Sequence, residues 1–157
     1  MTPSLLSYKS ILLNTKRGNS HGIFSNAKPI FVITIIDAIQ EGLIKENRID
    51  YKNSDIENIY IDNYRHCSGS GEELFRANIK VTPYNLPFFH LNAEPYYHIK
   101  WNEGVVPPKQ AKSPSGRYLK ENIEYSYLDE ELWELLQSSE VRCEFKNALI
   151  ERFIKTK

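Results

Sequence analysis

The side chains able to do chemistry are few and scattered. Four histidines (His21, His66, His90 and His98) and two cysteines (Cys67 and Cys143) are the obvious metal ligands and nucleophiles. No two histidines stand at HxH or HxxxH spacing, and the cysteines form no CxxC pair. A zinc site would have to be assembled from distant positions such as His90, His98 and Cys67. Read without a metal, each histidine is a hydrogen-bonded polar residue at the edge of a core. Dinucleotide, Walker, nucleophile-elbow and HExxH motifs do not occur in the sequence. Asp129-Glu130-Glu131 falls at a predicted helix start, where acids favour the macrodipole, so it reads as a stability feature. The expectation is a non-catalytic chain with no metal and no cofactor. An enzyme built from His90, His98 and an acid is the weaker rival.

The cations are better organised. Formal net charge is zero, yet residues 1–36 carry Lys9, Lys16, Arg17 and Lys28 with no acid. Residues 100–120 carry Lys100, Lys109, Lys112, Arg117 and Lys120 against Glu103 alone, while residues 121–151 hold nine acids against Arg142 and Lys146. Such a chain can present one basic face and one acidic face, or simply ordinary surface charge. Length suits one domain over 1–157, long enough to bury a core. No apolar run reaches the roughly 18 residues of a membrane span, and no basic-then-apolar leader is seen. Two separated thiols fit a reducing, cytoplasmic compartment, with both cysteines structural.

The elements that must position these residues read as mainly helical α+β, around a buried central helix with a small antiparallel β-hairpin. The hairpin is expected in Leu86–Leu91 and Tyr96–Trp101, with Pro87 at a strand start and Asn92-Ala93-Glu94-Pro95 as the turn. The central helix is expected to open at Pro29, capped by Ser25-Asn26, and to leave through Gln40-Glu41-Gly42. Its β-branched residues also suit a strand, but its length favours helix. Further helices are expected after Thr2-Pro3, after Ser54 with its capping-box spacing to Glu57, after Asp129 and after Ser139. A short helix is expected through Arg117-Tyr118-Leu119, and an extended piece around Ile49. Residues 14–26 and 104–115 read as loops, as does the stretch from Cys67 to Gly71. Residues 74–81 suit strand or helix.

Three stretches in order carry a resemblance. They are Ala27-Lys28-Pro29-Ile30-Phe31-Val32 with residues 44–49, then Leu86-Pro87-Phe88-Phe89-His90-Leu91, then Tyr118-Leu119-Lys120-Glu121-Asn122 through residues 128–136. Together they resemble the sulfur-binding domain, the N-terminal DNA-reading part of modification-dependent HNH restriction endonucleases, over roughly residues 10–155. The resemblance implies a restriction or antiphage-defence module that reads phosphorothioate DNA, in which sulfur replaces a non-bridging phosphate oxygen. Lys16-Arg17-Gly18 matches the basic segment before the Lys-Pro pair, and Lys28-Pro29 matches that pair. Pro87 matches the proline that packs on sulfur, and Arg117 a basic residue near the third motif. Ala27 stands where the family often has an aromatic or histidine, and Leu86 where an aromatic is common. No ββα-metal signature is present, so the chain itself is not expected to cut DNA.

A sulfur-substituted phosphate is anionic but has a softer, less hydrated atom. Its site needs apolar wall beside cationic groups. The expected DNA-binding set is therefore Lys16, Arg17, Lys28, Leu86, Pro87, His90 and Arg117, with double-stranded, backbone-modified DNA as partner and no membrane. A separate nuclease or effector subunit would do the cutting. The alternative is a protein-interaction subunit of a defence assembly that recruits such an effector through its acidic helices and the aromatics near Trp101.

Overall fold

The computed structural model describes residues 3–20, 23–68 and 80–155. The chain folds around one apolar helix, α2 (Ala27–Gln40), whose residues are buried on nearly every side. It begins two residues before Pro29, so that proline sits in the first turn, where a missing N–H costs no intrahelical bond. The Asn26 carbonyl accepts the first such bond from the Ile30 N–H at 2.9 Å. The exit is a Schellman motif on Gly42, which has a φ of 77°. The Gly42 N–H donates to Ile39 at 3.1 Å and the Leu43 N–H to Ala38 at 2.9 Å.

Around α2 pack α3 (Ser54–Ser68), α4 (Asn85–His90) and α7 (Ser139–Leu149). α1 (Pro3–Leu13) packs on α7 and on the short α6 (Glu130–Leu135). A polar seam stitches these helices where Thr34 and Asp37 interrupt the apolar surface of α2. Asn63 donates to Thr34 Oγ1 at 3.3 Å and to Asp37 at 3.0 Å, and the Lys146 ammonium meets Asp37 at 2.7 Å. Among the described residues, two short antiparallel sheets accompany the helices. β1 (Gly18–Ser20) pairs with β2 (Ile23–Ser25), and β3 (Tyr97–Trp101) with β4 (Ile123–Leu128). Ile49 bridges Ser126 on the free edge of β4, as the extended reading around it anticipates.

The mainly helical α+β class and the central helix are as the sequence indicates, but the hairpin is placed differently. Leu86–Leu91 is not a strand. It lies in α4 and the following 3₁₀ turn Leu91–Ala93. Pro87 is again a first-turn residue, and the Phe88 N–H reaches back to the Tyr84 carbonyl at 3.1 Å. A short, mostly apolar run has no period to tell helix from strand, and here the burial of Pro87, Phe88, Phe89 and Leu91 decides. Phe88 meets Phe31 at 5.6 Å and Tyr51 at 4.9 Å, and Tyr51 stacks on Tyr84 at 5.4 Å. β3 is the strand expected in the second half, but its partner is β4, some 25 residues on. The loop read over 14–26 contains the β1–β2 pair.

Several ends also shift. Ser138, not Ser139, caps α7 and accepts the Val141 N–H at 3.3 Å, and α7 runs on into a π-helical segment, Ile150–Lys155. Asp129 precedes α6 but makes no side-chain cap. Its carboxylate instead takes the Tyr8 hydroxyl at 2.8 Å and the His98 Nε2 at 2.5 Å. The short helix expected near Arg117 is α5 (Gly116–Asn122), capped by Ser115 at the Tyr118 N–H. The ambiguous 74–81 stretch falls largely outside the described residues. Both thiols are free; Cys67 is half-buried, but Cys143 is exposed and so is not a packing residue.

Candidate nucleic-acid interface

Four of the seven residues singled out in the sequence line one depression. Lys28, Leu86, Pro87 and His90, with Ser25, Ala27 and Thr82, enclose about 160 Å³ between the start of α2 and one face of α4. Their meeting follows from the aromatic cluster. Phe31, one turn beyond Lys28, packs on Phe88, the residue after Pro87, and this locks the two helix starts together. The walls are almost wholly apolar, supplied by Ala27, Leu86, Pro87 and the Lys28 stem.

The charge in the depression is held in check. The Lys28 ammonium lies 2.6 Å from Glu94 Oε2, with the Lys28 side chain 14% and that of Glu94 6% exposed. The same Glu94 oxygen accepts the Lys16 backbone N–H at 3.2 Å. His90 brings no compensating charge. Burial, and then the nearby Lys28, lower its pKa below the ordinary histidine value. Its hydrogen bonds assign the tautomer. The Gln110 amide, oriented by Asn92 on its oxygen at 3.1 Å, donates to His90 Nδ1 at 3.0 Å. The proton therefore resides on Nε2, which donates to Ser113 Oγ at 2.7 Å. Ser113 adopts a left-handed φ of 48°, which folds the 102–115 loop onto α4.

The other three expected residues lie elsewhere. Arg117 projects from α5, 88% exposed, and pairs with Glu121 at 3.4 Å without lining the depression. Lys16 and Arg17 follow α1 and border a separate concavity of about 370 Å³, shared with Arg152 and Phe153. Arg17 donates to Asn26 Oδ1 at 3.1 Å, and its guanidinium lies 5.3 Å from the centre of the Phe153 ring. Asn26 thus uses its side chain to join the Arg17 turn to the Phe153 carbonyl, at 3.2 Å, and not to cap α2.

The sequence reading missed Glu94, Thr82, Gln110, Ser113 and Arg152. Only Glu94 carried a signal: it is a single acid inside an otherwise apolar and aromatic stretch. Among the described residues no group of three or more His, Cys, Asp or Glu could hold a metal. His90 and His98 bond to different partners and do not join Cys67 in the zinc arrangement considered above. No described helix is long and apolar enough to cross a membrane. No protein-family model matches the chain, and the search of curated proteins found no match.

Proposed function

We propose that this chain is a DNA-binding module in which the Lys28–Pro87–His90 depression takes a backbone phosphate carrying a soft substituent, sulfur in place of a non-bridging oxygen. The observation that carries the reading is the composition of that depression: apolar walls, one ammonium already paired with Glu94, and a neutral imidazole. An ordinary phosphate is strongly hydrated and would lose water for little return there. A sulfur atom is poorly hydrated and gains from contact with Pro87, Leu86 and the Lys28 stem. The ordered resemblance to sulfur-binding domains supports the same ligand. The module itself is non-catalytic and leaves cutting to an effector.

The test is a binding titration with two duplexes of one sequence, plain and phosphorothioated, at two salt concentrations. Selective binding of the modified duplex supports the reading. Equal, salt-sensitive binding reduces it to a general DNA-binding module, because phosphate contacts alone release counterions. No binding to either refutes it and leaves the protein-interaction alternative.

A further inference from the structure

The second concavity has a composition of its own. It lies between the C-terminal end of α1 and the π-helical segment, lined by Leu13, Asn14, Lys16, Arg17, Arg152 and Phe153, with Thr15 behind. Three of these residues are cationic and none is acidic. Glu94, linked to the concavity through the Lys16 N–H, has its carboxylate engaged by Lys28 and by that N–H. Its charge is therefore offset on the side of the first depression. The local groups that would oppose an anion, the last carbonyls of α1, are also largely engaged. Arg152 Nε donates to the Leu13 carbonyl at 3.3 Å, the Thr15 N–H to Leu12 at 3.2 Å and the Asn14 N–H to Ile11 at 3.2 Å. The neutral polar side chains are committed too: Thr15 to Tyr96 at 2.7 Å and Asn14 to Ser10 at 2.9 Å. What the concavity offers a ligand is positive charge.

We propose that this Lys16–Arg17–Arg152 concavity is a second anion seat, which takes an unmodified phosphate of the same nucleic-acid backbone whose modified phosphate enters the Lys28 depression. The proposal rests on the function proposed above and adds to it Arg152, a residue with no place in the sequence-level site. Two contacts tie the seats together. Glu94 Oε2 bonds Lys28 from the first and the Lys16 backbone from the second. Asn26, at the start of α2, bonds Arg17 and the Phe153 carbonyl. The seats divide the work as DNA interfaces commonly do. The apolar depression discriminates, while the open cationic concavity contributes affinity without reading the ligand's identity.

The experiment uses the full chain and the same two duplexes, with Lys16→Gln and Arg152→Gln compared with wild type across a salt series. Lys16→Gln keeps the backbone N–H that bonds Glu94, and its side chain is exposed, so folding is not at stake. Each variant is expected to flatten the slope of log K against log salt by about 0.9, the signature of one lost phosphate contact. The preference for the modified duplex should stay within twofold of wild type. A purely structural Arg152 would leave the slope unchanged. Unchanged slopes in both variants overturn the second seat while the first stands, provided wild type still prefers the modified duplex. Failure of wild type to bind either duplex overturns both.

Discussion

Glu94 and Lys28 form a nearly buried ion pair, with Oε2 and Nζ 2.6 Å apart, at the rim of the apolar depression. The pairing makes Glu94 a determinant of what the depression accepts. An incoming anion competes with a carboxylate already in place, so charge alone gains little. Glu94→Gln keeps an acceptor for the Lys16 N–H but frees the ammonium. Binding of plain duplex is expected to strengthen several-fold, with a smaller gain for the modified duplex, so that discrimination narrows. Stability should fall by about 1–3 kcal/mol. Lys28→Met, which leaves the carboxylate buried without its cation, should cost about 3–5 kcal/mol. Titration and thermal melts of both variants check this. An unaltered preference ratio in the Gln variant would count against the role of Glu94.

Leu86 offers a cleaner probe of the apolar wall because it is only half-buried. Leu86→Asp places a carboxylate among Pro87, Ala27 and the Lys28 stem, where it would repel any phosphate. Loss of modified-duplex binding by tenfold or more is expected, about 1.4 kcal/mol or above. The fold should survive, at a cost of about 1 kcal/mol, since Leu86 is half-buried and not part of the sealed core. Binding that survives in a folded Asp variant would place the ligand away from this wall.

The parts of this molecule written in its sequence are those set by local rules. α2 could be read because Pro29, eight apolar residues and Gly42 agree with one another, and each does in the structure what its chemistry dictates. α4 could not. Leu86–Leu91 is short, apolar and proline-containing, which suits a strand start as well as a first helical turn. Contacts with Phe31 and Tyr51, distant in sequence, decide between them. β4 was missed for the same reason: its partner lies across a long connection, and no turn signal announces it. In the site, resemblance and residue type found Lys28, Leu86, Pro87 and His90. The groups that set their charge and tautomer (Glu94, Gln110 and Ser113) are defined by tertiary geometry.

His90 should make the fold sensitive to mild acid. Its pKa is lowered, chiefly by burial and then by Lys28. In the unfolded chain the imidazole takes a proton near about pH 6.5. As pH falls through that value the unfolded state binds a proton that the folded state refuses, so stability declines until the lower folded value is passed. Protonation at Nδ1 would also set an N–H against the Gln110 amide that now donates to it at 3.0 Å. Thermal melts of wild type and His90→Gln from pH 8 to 5.5 should show the wild-type advantage shrinking below about pH 6.5. A constant difference across that range would mean that the histidine titrates normally.

Gly116, the first residue of α5, is fixed by its neighbour. A Cβ there would stand 2.9 Å from the Tyr51 hydroxyl oxygen. A tyrosine terminus can often swing aside, but this ring is buried, stacked on Tyr84 at 5.4 Å and edge-on to Phe88 at 4.9 Å. Gly116→Ala should therefore destabilise by about 1–3 kcal/mol, the usual cost of overpacking, despite alanine's better helix propensity. A double-mutant cycle isolates the cause. Tyr51→Phe removes the oxygen that the new methyl would strike, so Gly116→Ala in that background should cost much less, with a coupling of about 1 kcal/mol or more. Equal costs in the two backgrounds would mean that the hydroxyl is not what keeps this position a glycine.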